Sequence, residues 1–533
     1  MNGYEKLVPK EMRRETCTAN RIRSSIHLQR IKLRRIEREK EQERMQQPAQ
    51  EGMIYRRQQL TYMHQQLDDG TALCSISTFS GGGIGDAGVE WGASVPVISA
   101  CELVPDRAGL IRHNYPATKV FQGDIWDLKS DIIEHAKREL KGSNPWLFVM
   151  SPPCQGMSSN GAGRISASIA LGRRPAMDER NRLVIPGVEI VEELRPSWFI
   201  LENVKRMENT VISNEDGEPE NILDMLGRRL HPLGYTIRSA IIDFRDLGVP
   251  HHRQRLITIG TNIPEIVEEI QPGKIFSPSS TKLHPLLTHG DSRNNVHITL
   301  RDVIGHMPKL DSRTKQICDE DPYHQIPKWN EKHHFWMKHT PEGSTAFEND
   351  FCPNCEVSVD DRSLVNCPGC KSALPRPTLE FVGWKCNECG EQNRKSKLVC
   401  NCGTSYSGRR FSKQRRLIRG FKTSYRRLKW DKPSSTITMN SGVISSDMKG
   451  HPEQHRVLSV REILMLSSLQ SHPAESYSWG ERYEFKSKKT EDGWFHDGEM
   501  SPKLVRQVIG ESIPPLAMAR IVSHLKELDP RIS

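Results

Sequence analysis

No apolar stretch in this 533-residue chain reaches 18 positions, so the sequence offers no candidate membrane-spanning helix. The first 15 residues, MNGYEKLVPKEMRRE, lack the apolar core of a signal peptide, which predicts a protein kept in the cytosol. Hydrophobic residues make up 36% of the chain, enough for a folded interior but scarce enough to predict polar arms or insertions. The length exceeds what one compact core organises and predicts two or three domains. Acid is missing from 407–430, SGRRFSKQRRLIRGFKTSYRRLKW, where ten Lys and Arg stand among Phe411, Phe421, Tyr425 and Trp430. A solubilising face is the plainer account of a charge run, but ten cations without one carboxylate favour a polyanion, nucleic acid above all. With no secretion signal, the 13 cysteines do not imply disulfides, and eight of them fall between 352 and 402 in close pairs, a metal-binding pattern.

Residues 1–70 are rich in Arg, Glu and Gln, and Ile22, Ile26, Leu28, Ile31, Leu33 and Ile36 give a partly amphipathic pattern, so this segment reads as a charged helical arm. From 71 to 280 strands alternate with helical stretches. The strands are ALCSISTFS, VPVISACEL, TKVFQGDIWDL, PWLFVMS, SWFILENV, TIRSAIIDF and RLITIG. That rhythm predicts a doubly wound, mostly parallel sheet with ligands at the carboxyl ends of its strands. Residues 281–455 are irregular, basic and cysteine-rich, a separate module with a metal-binding insert at 350–404. Helical patterns return in 456–533, at LSVREILMLSSLQS and VIGESIPPLAMARIVSHLKEL.

Chemistry collects at the strand ends. FSGGGIGDAG follows the first strand, and its glycines let a ligand approach the backbone and a helix N-terminus. Glu102 ends the second strand, where an acid can accept two ribose hydroxyls, and Asp124 ends the third, within reach of an adenine amino group. Together they describe an adenosine pocket, without separating NAD from S-adenosylmethionine. Cys154 ends the fourth strand in PPCQ, stiffened by two prolines. A buried cysteine is usually packing, but a thiolate beside a cofactor turn can attack an electron-poor carbon once its pKa falls from about 8.5. The glycine-rich basic loop behind it reads as a lid, Glu202 ends the fifth strand, and GVPHHRQRLITIG supplies Arg253 and Arg255.

In these segments, and in CELVPD, GDIWD, SPPCQGMSSNG, DERNRLV, WFILENV, LKWDKPSSTIT, HRVLSVREILMLSSLQ and QVIGESIPP, the chain closely resembles the DNA (cytosine-5) methyltransferases of restriction-modification type. The resemblance implies a Rossmann-like methyltransferase fold with a mixed, mostly parallel seven-stranded sheet, and a smaller target recognition domain at 281–455. It implies S-adenosylmethionine held by Phe79, Ser80, Gly81, Gly83, Glu102, Leu103, Asp124, Ile125, Pro153 and Ser512. It also implies a catalytic trio. Cys154 would add to C6 of a flipped cytosine, Glu202 would hold or protonate N3, and Arg255 would contact O2. The carbonyl before Pro153 would read the exocyclic amine. Gln155, Ser158, Ser159, Arg253, Arg409, Arg410, Arg415 and Arg416 are the expected DNA contacts, although Arg253 has a more structural look. Double-stranded DNA is the implied partner, met by a monomer in the bacterial cytoplasm, with a cognate restriction or defence system beside it. Three positions depart from the family pattern: Ile84 in the glycine turn, His251 where Gln is usual, and Glu511 where Asn is usual.

CPNC, CPGC, CNEC and CNC pair Cys352 with Cys355, Cys367 with Cys370, Cys386 with Cys389, and Cys400 with Cys402. Eight thiolates suit two tetrahedral structural zinc ions, consecutive pairing being one arrangement and a single ion with a degenerate second half another. Two other functions stay open: methylation of a structured RNA such as tRNA, and a non-catalytic DNA-binding regulator that keeps the fold.

Overall fold

The computed structural model describes residues 66–153, 178–270, 273–290, 295–361, 363–374, 378–406, 409–415, 423–446, 448–487 and 498–532. The N-terminal arm, Cys154 and the loop behind it to 177, and Arg416 lie outside the described residues.

Eight strands form the main sheet: β1 (Thr71–Thr78), β2 (Val97–Glu102), β3 (Lys119–Gln122), β4 (Asn144–Met150), β5 (Trp198–Asn203), β8 (Thr236–Asp243), β9 (Gln254–Thr261) and β10 (Phe276–Ser277). A small hairpin, β6 (Val211–Ser213) with β7 (Pro219–Asn221), stands apart from it. The order is β10-β8-β9-β5-β4-β1-β2-β3, and β9 runs antiparallel to both neighbours. This is the expected Rossmann-like sheet with one strand more than the seven expected, because the two residues of β10 pair parallel to β8 at its edge. Strands β1, β2 and β5 are buried at every position, since crossover helices cover both faces of a parallel sheet.

Reversal of strand order around β1 sets the ligand edge. β1 leads to β2 on one side while β4 returns on the other, so the turn after β1 opens at the topological switch point. Beyond the turn, α1 (Ile84–Ala87) is only four residues long and passes into one π-helical turn, Gly88–Gly92. Close approach of α8 (Pro515–Leu528) explains the glycine at 88, because a Cβ there would lie 2.1 Å from the Pro515 carbonyl oxygen. Gly88→Ala should therefore cost about 1–3 kcal/mol, measured as a lower denaturant midpoint at unchanged m-value.

The C-terminal helical pattern VIGESIPPLAMARIVSHLKEL forms two helices with a break between them. α7 (Pro502–Glu511) ends at Ser512, and α8 begins three residues later at Pro515. Pro514 and Pro515 lack the N–H groups that would continue the helix, and each disfavours helical backbone before it. The break leaves Ser512 with extended backbone at the end of α7.

Residues 63–533 pack as one compact unit. Leu283, Leu300, Val303 and Ile304 share the main apolar core with the sheet, as do Leu428, Ile437, Leu458 and the last two helices. A second cluster, built on Trp329, Trp336, Met337, Phe347, Tyr425 and Ile444, lies within 281–455 and takes in Val457 just beyond it. Two further small clusters surround the cysteine groups.

Candidate active site and metal centres

The turn after β1 is shaped for a ligand. Phe79, Gly81 and Gly83 have φ of 56°, 56° and 75°, in the left-handed region. Over Gly81 there is open space, with nothing within 4 Å of where a Cβ would stand. Ile84 is buried and starts α1. Tyr115 and Tyr483, each donating a phenolic hydroxyl, fasten the turn through the Gly83 carbonyl at 2.6 Å and the Gly82 carbonyl at 2.5 Å.

Glu102, at the end of β2, accepts from the Gly81 N–H at 2.8 Å and from the Val104 N–H at 2.8 Å. Burial raises its pKa, against the backbone bonds and the Arg107 guanidinium that lower it. Beside it Leu103 is 63% exposed, an apolar plate at the pocket rim. Asp124 caps α3 (Ile125–Glu139), accepting from the Trp126 N–H at 3.0 Å, and Ile125 is buried behind it. The Gly123 N–H donates to the Glu102 carbonyl at 3.1 Å, so the ends of β2 and β3 stand side by side. An acid, an open glycine, a bare apolar plate and a second acid fit the adenosine part of S-adenosylmethionine. Ser512 is turned back on its own helix, its hydroxyl donating to the Val508 carbonyl at 2.6 Å.

Glu511, the unusual acid, faces Arg107 in an ion pair. Its negative charge is therefore matched within the protein rather than added bare to the pocket.

The reaction edge lies one strand over. Pro152 is buried, and its carbonyl, the one before Pro153, accepts from Asn203 Nδ2 at 2.9 Å. That bond ties the turn leading into Cys154 to the end of β5. Asn203 was not singled out in the sequence, though ENV contained it; only the pairing of β4 with β5 gives it a partner. Glu202, 8% exposed, accepts from Arg255 Nε at 2.7 Å. The antiparallel pairing of β5 with β9 brings these two residues together across 53 positions of sequence. A carboxyl and a guanidinium thus stand paired beside a proline-stiffened turn that delivers a cysteine.

Over residues 73–527 the sequence matches the C-5 cytosine-specific DNA methylases. The chain belongs to that family. It is similar to the Type II methyltransferase M1.HgaI of Avibacterium volantium, 27% identical over 471 residues, 85% of this chain and 98% of the relative. DNA (cytosine-5)-methyltransferase 1 of Gallus gallus is 24% identical over 73% of this chain and 27% of its own length. Among solved structures, the Entamoeba histolytica methyltransferase EhMeth aligns at 12% identity over 86% of this chain and 99% of its own, with a TM-score of 0.42.

In this methylase Arg253 is a buried residue. It is 2% exposed, and its guanidinium donates to the carbonyls of Ile437 at 3.3 Å, Gly510 at 3.2 Å and Glu511 at 3.3 Å. Its place is that of a tie between β9, the 437 segment and α7. His251, in the position usual for Gln, is also buried. Burial first, then Arg253, Arg255 and Lys449, push its pKa well below the histidine range, so the ring is neutral and can accept from the Ile437 N–H at 3.4 Å. Of the remaining expected DNA contacts, Gln155, Ser158, Ser159 and Arg416 lie outside the described residues, and Arg409, Arg410 and Arg415 fall on β13 (Arg409–Arg415).

The methylase's cysteines form two groups, Cys352 with Cys355, Cys367 and Cys370, and Cys386 with Cys389, Cys400 and Cys402, each with sulfurs within 4.8 Å of one another. Pairing is thus consecutive, each group using two neighbouring pairs. All four pairs fold alike. The N–H after the second cysteine donates to the first cysteine's carbonyl: Glu356 to Cys352 at 3.0 Å, Lys371 to Cys367 at 2.9 Å, Gly390 to Cys386 at 3.0 Å, Gly403 to Cys400 at 3.0 Å. Those four residues have φ of 56°, 62°, 74° and 87°. Two non-glycine residues held there indicate a turn imposed by its surroundings. Four thiolates on a tetrahedral zinc at about 2.3 Å would be about 3.8 Å apart, so both groups fit such an ion.

Proposed function

We propose that the protein methylates C5 of cytosine in duplex DNA through a covalent bond from Cys154. The supporting observation is the Glu202–Arg255 pair at 2.7 Å beside the turn that Asn203 fastens and that leads into Cys154. With the cytosine flipped out of the duplex, the Cys154 thiolate adds to C6. Glu202 supplies a proton or hydrogen bond at N3, so the ring accepts the electron pair and C5 becomes nucleophilic. Arg255 steadies the Glu202 carboxyl and faces O2. The Pro152 carbonyl keeps a lone pair for the exocyclic amine. C5 then takes the methyl group, loses its proton, and expels the Cys154 sulfur to restore the ring.

S-adenosylmethionine, held by the β1 turn, Glu102, Leu103, Asp124, Ile125, Pro153 and Ser512, would supply that methyl as an electrophilic carbon. Glu102 would accept from the ribose hydroxyls. Glu102→Gln should then weaken S-adenosylmethionine binding about 10- to 100-fold in titration calorimetry, the loss of charge-assisted hydrogen bonds of about 1.5–3 kcal/mol. Two structural zinc ions would occupy the cysteine groups. Arg253 is proposed as a scaffold rather than a DNA contact. A role as a modification methyltransferase agrees with the name of the Avibacterium relative, and a monomer beside a restriction or defence nuclease is proposed with it.

Tritiated S-adenosylmethionine offered with duplex DNA or tRNA tests the substrate. Label in DNA alone is expected, and label in RNA alone would overturn the reading. Bisulfite sequencing of an expressing host then reads out the methylated site.

A further inference from the structure

The second cysteine group carries a three-stranded antiparallel sheet, β12 (Gln392–Arg394), β11 (Thr378–Lys385) and β13, in the order β12-β11-β13. Its two faces differ. Trp384 and Asn393, paired across β11 and β12, are both buried. The Trp384 indole donates to the Lys397 carbonyl at 2.6 Å and packs with Cys386, Cys400 and Tyr406. That face is closed by the metal group. Lys385, Gln392 and Arg394, on the other face, are exposed.

Strand register extends the same division to β13. Residues directly opposite on antiparallel strands share a face. Arg409 stands opposite Lys385, and Arg410 stands opposite Trp384. The pairing slips between Phe381 and Gly383, where one extra β11 residue is accommodated as a bulge. β13 itself has no extra residue, so positions 409, 411, 413 and 415 alternate regularly along it. Beyond the bulge Lys413 is paired with Glu380 and Arg415 with Thr378, on the face of Lys385. Five cationic positions, Lys385, Arg394, Arg409, Lys413 and Arg415, thus share a face with one acid, Glu380.

We propose that this face is a DNA-backbone docking surface. It rests on the reading of duplex DNA as substrate, and it narrows it. Lys385 and Arg394, which lie outside the basic run at 407–430, join the surface, and Arg410, inside that run, is left out of it. A phosphate backbone is the occupant that cationic positions aligned on one face of a sheet match, and an antiparallel ribbon is of a size the major groove admits.

The test uses the full-length, zinc-loaded protein and a fluorescent duplex, with anisotropy read over a range of salt. The variants are K385Q/R394Q, K385Q/R394Q/R409Q and R410Q, each checked for zinc content and S-adenosylmethionine affinity equal to the parent. Each lost phosphate contact should flatten the slope of log K against log salt by about 0.9, so the triple variant should lose about 2–3 from its slope. Its affinity at 150 mM salt should fall about tenfold or more, while R410Q keeps the parental slope. A triple variant with intact controls and an unchanged slope would overturn the surface alone. An R410Q loss equal to that of R409Q, compared as single variants, would overturn the division of faces. A parent that binds tRNA more tightly than duplex would overturn DNA as the occupant together with the substrate reading.

Discussion

The Cys154→Ser variant is expected to lose methyl transfer by more than about 10³-fold while still binding S-adenosylmethionine. A serine hydroxyl in that position has neither the acidity nor the polarisability of a thiol, so addition to C6 fails before any other step can proceed. A duplex carrying 5-fluorocytosine separates this role from a packing role. The parent should form a denaturant-stable complex with it, because fluorine at C5 cannot leave as a proton does, and Cys154→Ser should form none. Glu202→Gln should retain binding of duplex and cofactor yet slow transfer by about 10²–10⁴-fold, the usual range for a positioned acid. A Cys154→Ser protein that methylates at the parental rate would sink the covalent route.

Removal of metal should have the other large effect, on stability rather than chemistry. The apolar clusters at the cysteine groups are small. One consists of Cys352, Val359, Cys367 and Leu374 with Cys370 against it, the other of Trp384, Cys386 and Cys400 with Tyr406. Neither buries enough to fold unaided, whereas a four-cysteine zinc site contributes about 10–16 kcal/mol of apparent binding free energy. Purified protein should hold two zinc ions, and Cys386→Ser should hold one. Strong chelation should open 350–406 to protease while leaving S-adenosylmethionine binding within about twofold. Parental protein free of zinc, or a cysteine region that resists protease after chelation, would overturn the assignment.

Much of the candidate site was legible in the sequence because Glu102, Asp124 and Glu202 stand at or just past strand ends, and strand ends are marked locally. Runs such as ALCSIST and WFILEN announce fully buried parallel strands, and the residue that follows each is already a candidate for the ligand edge. The cysteine pairs were legible for a similar reason: a pair two or three residues apart needs no distant partner to declare itself. Departures from the family pattern could be seen but not interpreted. That Glu511 meets Arg107, and that His251 is neutral, depend on segments hundreds of residues away or on burial.

The sequence by itself determined the fold class and the eight metal-type thiolates, and marked the candidate pocket acids and the turn before Cys154, since these rest on periodicity and short spacing. Only the tertiary structure decided which cysteines share a group, that Asn203 fastens the Pro152 carbonyl, and that Arg253 is a buried tie. It also decided that strand register sets Arg409 opposite Lys385 and Arg410 opposite Trp384. Each of these is a matter of pairing between strands or of side chains meeting across long loops. Local sequence fixes what a residue can do, but burial and register fix what it faces.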